Sequence, residues 1–427
     1  MTFSKFKIIF AIILLFPINA HAYLDPGTGN ALIAAIFGLI GSIAFFSKNI
    51  FYKVKSMISG KKEFAVKYQL AIFSEGARYW IYFKDIVSQL IERKISFIYY
   101  TMDINDPALD LFDSIATNPN SFDSYKIRYV GQGNKGYAAI SNLKEPCLLS
   151  TTPHIGVKKY PIKKPPNCKN LIHLFHSVAG IANYQKHSLD FYDSVILSGS
   201  AFEKDIRLLE KKRNLAPKKL LVGGLPYIDD LVERASKIKQ ETNGKTILVA
   251  STWNKRGCLQ TYGAPFIISM AKAGYDIIVR PHPYSYTFEP DFIEKLKNDL
   301  KSYPNIVFDD EIDNLKSLAK ADILVSDVSS IRLDYFFAFK RPSISLETID
   351  EINGEYEYDD LDSFWSKDIS NSIGVYVSKD DIGKIVDKIK EASSMPLIDK
   401  ESIVANIGSS TSIITEQIIS LMNTGEK

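Results

Sequence analysis

From Phe64 onward, short apolar runs alternate with longer stretches whose apolar residues recur at helical spacing. The runs Tyr68–Phe73, Ile95–Tyr100, Ile127–Val130, Cys147–Leu149, Leu171–Phe175 and Val195–Leu197 are predicted strands, with predicted helices such as Arg78–Arg93 and Ala201–Arg213 between them. Strands that are apolar on both faces and spaced by helices make a parallel sheet covered on both sides. The pattern then restarts. A predicted helix at Ile228–Lys239 ends at Asn243-Gly244, and predicted strands follow at Thr246–Ala250, Asp276–Val279, Ile306–Phe308, Ile323–Val325 and Ser343–Leu346. Helical spacing separates them at about Ala264–Ala273, Phe292–Ser302, Leu315–Lys320 and Ile331–Phe339. The expected fold is therefore α/β, with two doubly wound, Rossmann-like domains facing a cleft and joined near residues 225–245.

The beginning of the chain differs in kind. Lys5 and Lys7 flank an apolar run from Ile8 to Phe16, followed by the small-residue site Ala20-His21-Ala22. This reads as a signal peptide or a first membrane segment over residues 1–22. Residues 23–62 then hold a Tyr23-Leu-Asp-Pro-Gly-Thr-Gly29 turn, an uncharged apolar run and a basic flank. Thr28 to Ser47 is about twenty residues, enough for a helix across a ~30 Å hydrocarbon core. Lys48, Lys53, Lys55, Lys61 and Lys62 follow it, which places the remainder of the chain on the cytoplasmic side of the inner membrane. The expected partition continues with an N-terminal domain at 63–226, a C-terminal domain at 227–395 and a helical tail at 396–427.

Composition narrows the function classes. Lys and Arg number 52 against 49 Asp and Glu, a net charge of +3, so no basic excess marks a nucleic-acid binder. The three cysteines, Cys147, Cys168 and Cys258, have no CxxC spacing, which argues against a disulfide scaffold or a thiolate zinc site. No cluster of carboxylates at ligand spacing stands out, so no metal ligands are assigned and metal dependence stays open, while no cofactor is expected. Gly131-Gln-Gly133 lacks the third glycine of a dinucleotide fingerprint, and Ser177 lacks the flanking glycines of a nucleophile elbow.

Chemistry in open α/β sheets gathers beyond the carboxyl ends of the strands. Four predicted strands end in groups suited to phosphate or proton handling. These are His176, then Ser251 and Thr252, then Arg280 and His282, then Ser326, Asp327, Ser329 and Ser330. In the last segment, Ser and Asp stand where a helix N-cap belongs, and a helix start offers unpaired N–H groups to phosphate. Asp334 lies one turn into that helix, placed to accept from a ribose or an acceptor. His282, between Pro281 and Pro283, is stiffly held. His173 points to the opposite sheet face and reads as structural, while His154 and His187 read as loop residues. Two loops are distinctive: Lys158 to Lys169 with five lysines and no acid, and Glu347 to Asp362 with eight acids and no base.

These residues resemble a family. His176, Ile247–Trp253, Arg280-Pro-His-Pro283 and Ser326-Asp-Val-Ser-Ser through Asp334 to Lys340-Arg-Pro342 are similar to CDP-glycerol glycerophosphotransferases of teichoic-acid synthesis. A membrane-anchored branch of that family also opens with a Tyr-x-Asp-Pro-Gly-Thr-Gly turn. The chain departs from the family at Ser251-Thr252-Trp253-Asn254, where Pro-Thr-Trp/Phe-Arg is common, and at His176-Ser177, where polymerases carry His-Gly. The resemblance implies a GT-B fold and transfer of glycerol phosphate from a CDP-linked polyol donor to a lipid-linked saccharide or polymer, with release of CMP. It implies His176 and His282 as catalytic residues and Arg280, Ser326, Asp327, Ser329, Ser330, Asp334, Ser251 and Thr252 as substrate contacts. A glycosyltransferase of the same fold using a nucleotide-sugar donor, and a non-catalytic scaffold, are the rival readings.

Overall fold

The computed structural model describes residues 68–111, 125–178, 181, 184–311, 313–327, 329–348, 370–396 and 401–423. The expected membrane segments and most of the acidic loop fall outside the described residues. Among the described residues, no helix is long and apolar enough to cross a membrane.

Residues 66–427 form one compact unit built on two sheets. The first contains β1 (Leu70–Ser74), β2 (Phe97–Thr101), β3 (Tyr125–Tyr129), β4 (Cys147–Ser150), β5 (Asn170–Leu174), β6 (Ser194–Leu197) and β7 (Lys219–Val222). The second contains β8 (Thr246–Ala250), β9 (Asp276–Arg280), β10 (Ile306–Phe308), β11 (Ile323–Ser326), β12 (Ser343–Leu346) and β13 (Gly374–Val377). Every pairing is parallel, in the orders β3-β2-β1-β4-β5-β6-β7 and β10-β9-β8-β11-β12-β13. The β1, β2, β4, β5, β6 and β8 strands are buried at every position, as helices on both faces require. Each sheet reverses its strand order once, between β1 and β4 and between β8 and β11. Those reversals open the crevices where ligands of such sheets bind.

The helices are α1 (Trp80–Glu92), α2 (Gly133–Ile140), α3 (Glu203–Arg213), α4 (Pro226–Ser236), α5 (Cys258–Lys272), α6 (Pro283–Phe288), α7 (Pro290–Leu300), α8 (Leu315–Lys320), α9 (Ile331–Phe339), α10 (Ile385–Ser393) and α11 (Ser410–Asn423). Helix α5 is two helical segments meeting at a kink at non-helical Gly263 (φ 62°), and the expected start at Ala264 marks the second, which has Pro265 in its first turn. Helix α4 connects the two sheets, starting with Pro226 in the first helical turn. It packs on α9 of the second lobe and on α1 of the first. One apolar cluster accordingly runs from Ala71 and Leu171 through Ile228 and Leu231 to Leu248 and Tyr335.

The tail returns to the first lobe. Ile414, Ile418 and Leu421 of α11 share a core with Leu70, Ile72, Phe83 and Leu174. Asp229 of α4 secures the start of α11 by accepting from the Gly408 and Ser410 N–H groups at 2.7 and 2.9 Å.

Candidate active site

The second lobe's crevice is built around one carboxylate. Asp327 follows β11 and is 1% exposed. It accepts from Ser251 Oγ at 3.0 Å, Thr252 N at 2.9 Å, Cys258 N at 2.8 Å and Ser329 N at 3.0 Å. Ser326 pairs with Ala250 in the sheet, so the loops after β8 and β11 emerge side by side, and Asp327 ties them together. Its bond to Cys258 N also caps α5, while Leu259 N donates to Ser251 Oγ at 3.3 Å. The start of α5 is therefore satisfied by protein rather than open to an anion. Asp327 and Ser251, expected as substrate contacts, are internal fasteners here, since their polar atoms are already engaged. Ser326, fully buried at the end of β11, is likewise part of the sheet.

The start of α9 is different. Ser330 is exposed and makes no side-chain cap bond, Ser329 is half-buried, and the nearest acceptors to the Ile331 and Arg332 N–H groups lie at 3.4 and 3.5 Å. Weakly satisfied N–H groups with two adjacent hydroxyls suit a phosphate. Beneath them lies Arg332, which sequence reasoning missed. It is 3% exposed and donates to the Ser329 carbonyl at 3.1 Å, to Ser345 Oγ at 2.6 Å and to Ser370 Oγ. Burial pulls its pKa down to about 10, partly offset by Asp327, so it keeps its charge at neutral pH. A basic residue between Ile331 and Leu333, in a helix whose only other charged residue is Asp334, was the available signal.

Arg280 takes a different place from the one its sequence context suggests. The guanidinium is buried, pairs with Asp309 at 2.5 Å and donates to the Glu311 carbonyl at 2.7 Å. Through these bonds it holds the loop after β10. Desolvation would raise the Asp309 pKa, but bonds from Ser317, the Glu311 N–H and Arg280 hold it below the usual range. Next to it, His282 Nδ1 accepts the Tyr284 N–H at 3.1 Å, which puts the proton of the neutral ring on Nε2. Partial burial lowers the His282 pKa, against an upward pull from Asp327. Trp253, Tyr284 and Phe288 form an aromatic cluster beside it, with the last two exposed.

In the first lobe, His176 stands just past β5 among aromatic rings. Tyr79 and Tyr82 meet it edge-on at 5.4 and 5.7 Å, and Tyr184 stacks at 6.3 Å. Desolvation, with a contribution from Arg78, pushes its pKa down to about 4, and its Nδ1 is buried without a partner. The ring is neutral at physiological pH and has one nitrogen to accept a proton. Tyr82 continues to Tyr227 of α4 at 6.0 Å, and the Tyr227 hydroxyl donates to Asp334 at 3.0 Å. Desolvation lifts Asp334 to about 6, despite that bond and Arg234. His173 is fully buried with Nε2 3.2 Å from the Tyr184 hydroxyl, a core residue as its face predicted.

No three His, Cys, Asp or Glu side chains among the described residues are grouped to hold a metal. The structure thus brings Ser251, Thr252, Asp327, Ser329 and Ser330 together at one crevice. It joins His176 to Asp334 through Tyr82 and Tyr227.

Residues 176–352 match the family model of CDP-glycerol:poly(glycerophosphate) glycerophosphotransferase. No curated protein matches the chain as a sequence. Among solved structures, UDP-GlcNAc 2-epimerase from Methanocaldococcus jannaschii superposes with a TM-score of 0.53 at 14% identity, covering 82% of this chain and 99% of its own. The same enzyme with UDP-GlcNAc and UDP gives 0.51 at 13% identity over 82% and 99%. The wall teichoic acid polymerase TagF gives 0.43 at 16% identity over 90% of this chain and 99% of its own. Residues 176–352 thus resemble a CDP-glycerol glycerophosphotransferase, within a fold of two parallel-sheet α/β lobes shared with the UDP-GlcNAc 2-epimerase.

Proposed function

We propose that the protein is a membrane-anchored transferase. It moves glycerol phosphate, or a related polyol phosphate, from a CDP-linked donor to a hydroxyl of a lipid-linked saccharide or polymer. The observation that carries this reading is the span of the family match, which begins at His176 and contains every other candidate residue of both lobes. In the reaction the acceptor oxygen attacks the phosphorus that bears the glycerol. The bond from that phosphorus to the CMP oxygen breaks, CMP leaves, and the acceptor proton passes to a base. Such a displacement needs a positioned hydroxyl and fixed donors on the phosphoryl oxygens.

His176 is assigned the base role because it opens the family match just past β5 and its neutral ring keeps a lone pair at physiological pH. The α9 start, with Ser329 and Ser330, is assigned to the donor phosphates, and His282 offers its Nε2–H to the same group. The uncharged run from Thr28 to Ser47 with its following lysines supports anchoring at the inner membrane, both lobes facing the cytoplasm where CDP-linked donors occur.

The test is CMP release by the full-length protein supplied with CDP-glycerol and a membrane extract as acceptor source. His176→Ala and His282→Ala should each lower the rate by about 10²–10⁴-fold, the usual contribution of a positioned acid or base. Near-normal turnover in both variants rejects the site assignment. Release of UDP from a nucleotide sugar, with no CMP from CDP-polyols, makes the protein a glycosyltransferase instead.

A further inference from the structure

The first lobe has its own crevice, at the reversal between β1 and β4. A cavity of about 400 Å³ opens there, within the roughly 300–1,000 Å³ range of small-molecule sites. Glu75, which follows β1, and Thr152 with His154, which follow β4, line it together with Tyr137, Tyr160 and Tyr184. We propose that this cavity binds a neutral sugar ring of the acceptor, stacked on tyrosine and held through its hydroxyls by Glu75, so that the first transfer is to a saccharide rather than to a polyol-phosphate chain.

The walls are rigid and polar in a particular way. His154 is held at φ 65°, a conformation costly for a side-chain-bearing residue and maintained by the surrounding bonds. Its N–H donates to the Ser188 carbonyl at 2.7 Å, and its Nε2 lies 3.2 Å from the Gln185 carbonyl. In that position the imidazole stacks on Tyr160 with centroids 3.9 Å apart and planes 14° from parallel, and the Tyr160 hydroxyl donates to Gln185 Oε1 at 2.5 Å. The tyrosine is thereby fixed as a flat platform. Aromatic faces bind the C–H faces of sugar rings by dispersion and apolar burial, while carboxylates and amides take the hydroxyls at the edge.

Glu75 supplies that edge. Its Oε1 accepts from the Tyr137 hydroxyl at 2.7 Å, and among the described residues its Oε2 accepts no hydrogen bond. Thr152 Oγ1 lies buried in the wall without a partner.

Charge selects among ligands. The lining contains one carboxylate and neither lysine nor arginine, and burial keeps His154 neutral by lowering its pKa. Inside the cavity a phosphodiester would meet the Glu75 carboxylate, while Lys158, Lys159 and Lys163 of the loop that carries Tyr160 are exposed and outside the lining. Arg78 acts on both Tyr137 of the cavity wall and His176, so one positive charge lies near both. Tyr184 belongs to the cavity and to the His176 stack at once, so the cavity and the assigned base share a wall residue.

This proposal rests on the transfer reading above, and its test is separable from it. Saturation-transfer NMR on the full-length protein in detergent would compare methyl glucopyranoside and methyl N-acetylglucosaminide with glycerol 3-phosphate and a short glycerol-phosphate oligomer, without donor. The glycosides are expected to bind and the phosphates not to displace them. Glu75→Gln should weaken glycoside binding about tenfold, the loss of one bond to a charged acceptor. Tyr160→Phe, which keeps the ring and the fold, should retain binding, while Tyr160→Leu should lose it, with thermal midpoints confirming that each variant is folded. Absence of glycoside binding overturns the proposal, as does binding unchanged in Glu75→Gln and Tyr160→Leu or displacement by the oligomer. Calorimetry with CDP-glycerol is run in parallel. A protein that binds CDP-glycerol but no glycoside refutes the cavity alone, and one that binds glycosides but no CDP-polyol refutes the donor reading alone.

Discussion

Replacing Asp327 separates a fastener from a ligand contact. In Asp327→Ala the N–H groups of Thr252, Cys258 and Ser329 lose their acceptor in a site that is almost closed to solvent, while Ser251 Oγ keeps the Thr252 carbonyl at 2.8 Å. Each buried donor left unpaired costs about 1–3 kcal/mol, and three of them with some relaxation sum to roughly 3–6 kcal/mol. Asp327→Asn keeps one carbonyl oxygen, which serves Ser251, Thr252 and Cys258 if it takes the Oδ2 position, and loses mainly the Ser329 bond, about 1–3 kcal/mol. Trp253 lies in the fastened loop and reports its loosening by fluorescence. Urea titration of the full chain should therefore place the midpoints in the order wild type, Asn, Ala, with CDP-glycerol affinity falling in the same order. A protein with Asp327→Ala that unfolds at the wild-type urea concentration yet fails to bind donor would refute the fastener reading and restore Asp327 as a direct contact.

Three other outcomes follow from the geometry. Arg280→Ala should destabilise by about 1–3 kcal/mol, because Asp309 loses its charged partner while keeping Ser317 and the Glu311 N–H, and a urea midpoint within error of wild type would reject that pairing. Gly257→Ala places a Cβ 2.1 Å from Gln260 Oε1, 2.5 Å from the Thr252 carbonyl and 2.7 Å from Ser251 Oγ, so donor affinity measured by calorimetry should drop as the loop shifts. Asp334 and His176 should pull the pH dependence of stability in opposite directions. Asp334 is raised to about 6, so the folded state holds its proton longer than the unfolded chain, and its contribution is lost as pH rises from about 4 to 6. His176 is lowered to about 4, so the unfolded chain takes a proton first, and stability is lost as pH falls from about 6.5 to 4. Thermal midpoints of Asp334→Asn should exceed wild type increasingly toward pH 6, and those of His176→Gln should do so increasingly toward pH 4; parallel curves for all three proteins would reject both shifts.

The alternation of apolar runs was enough to locate eleven of the thirteen strands. The two that escaped, β7 at Lys219–Val222 and β13 at Gly374–Val377, are four-residue edge strands, each with three apolar residues after a Lys or a Gly. Strand-end polarity also pointed to the second lobe's crevice, since Ser251, Thr252, Asp327, Ser329 and Ser330 do meet there. What sequence could not supply was the partner of each group. Arg280 looks like a phosphate ligand until Asp309, 29 residues away, is seen against it, and Asp327 looks free until Cys258, 69 residues earlier, donates to it. The first lobe's cavity was invisible for the same reason, because Glu75, Tyr137, His154 and Tyr184 come from four separate segments.

The return of α11 to the first lobe bears on the order in which the protein is completed. All strands of the second sheet lie between Thr246 and Val377, whereas the first lobe's core includes Ile414, Ile418 and Leu421. As the chain leaves the ribosome, the lobe that is synthesised first cannot close its core until the last helix arrives, while the second already has every strand it needs. The first lobe therefore waits, with the apolar face of Leu70, Ile72 and Leu174 lacking its final cover, and a nascent chain interrupted before residue 410 would expose that face to chaperones or to aggregation.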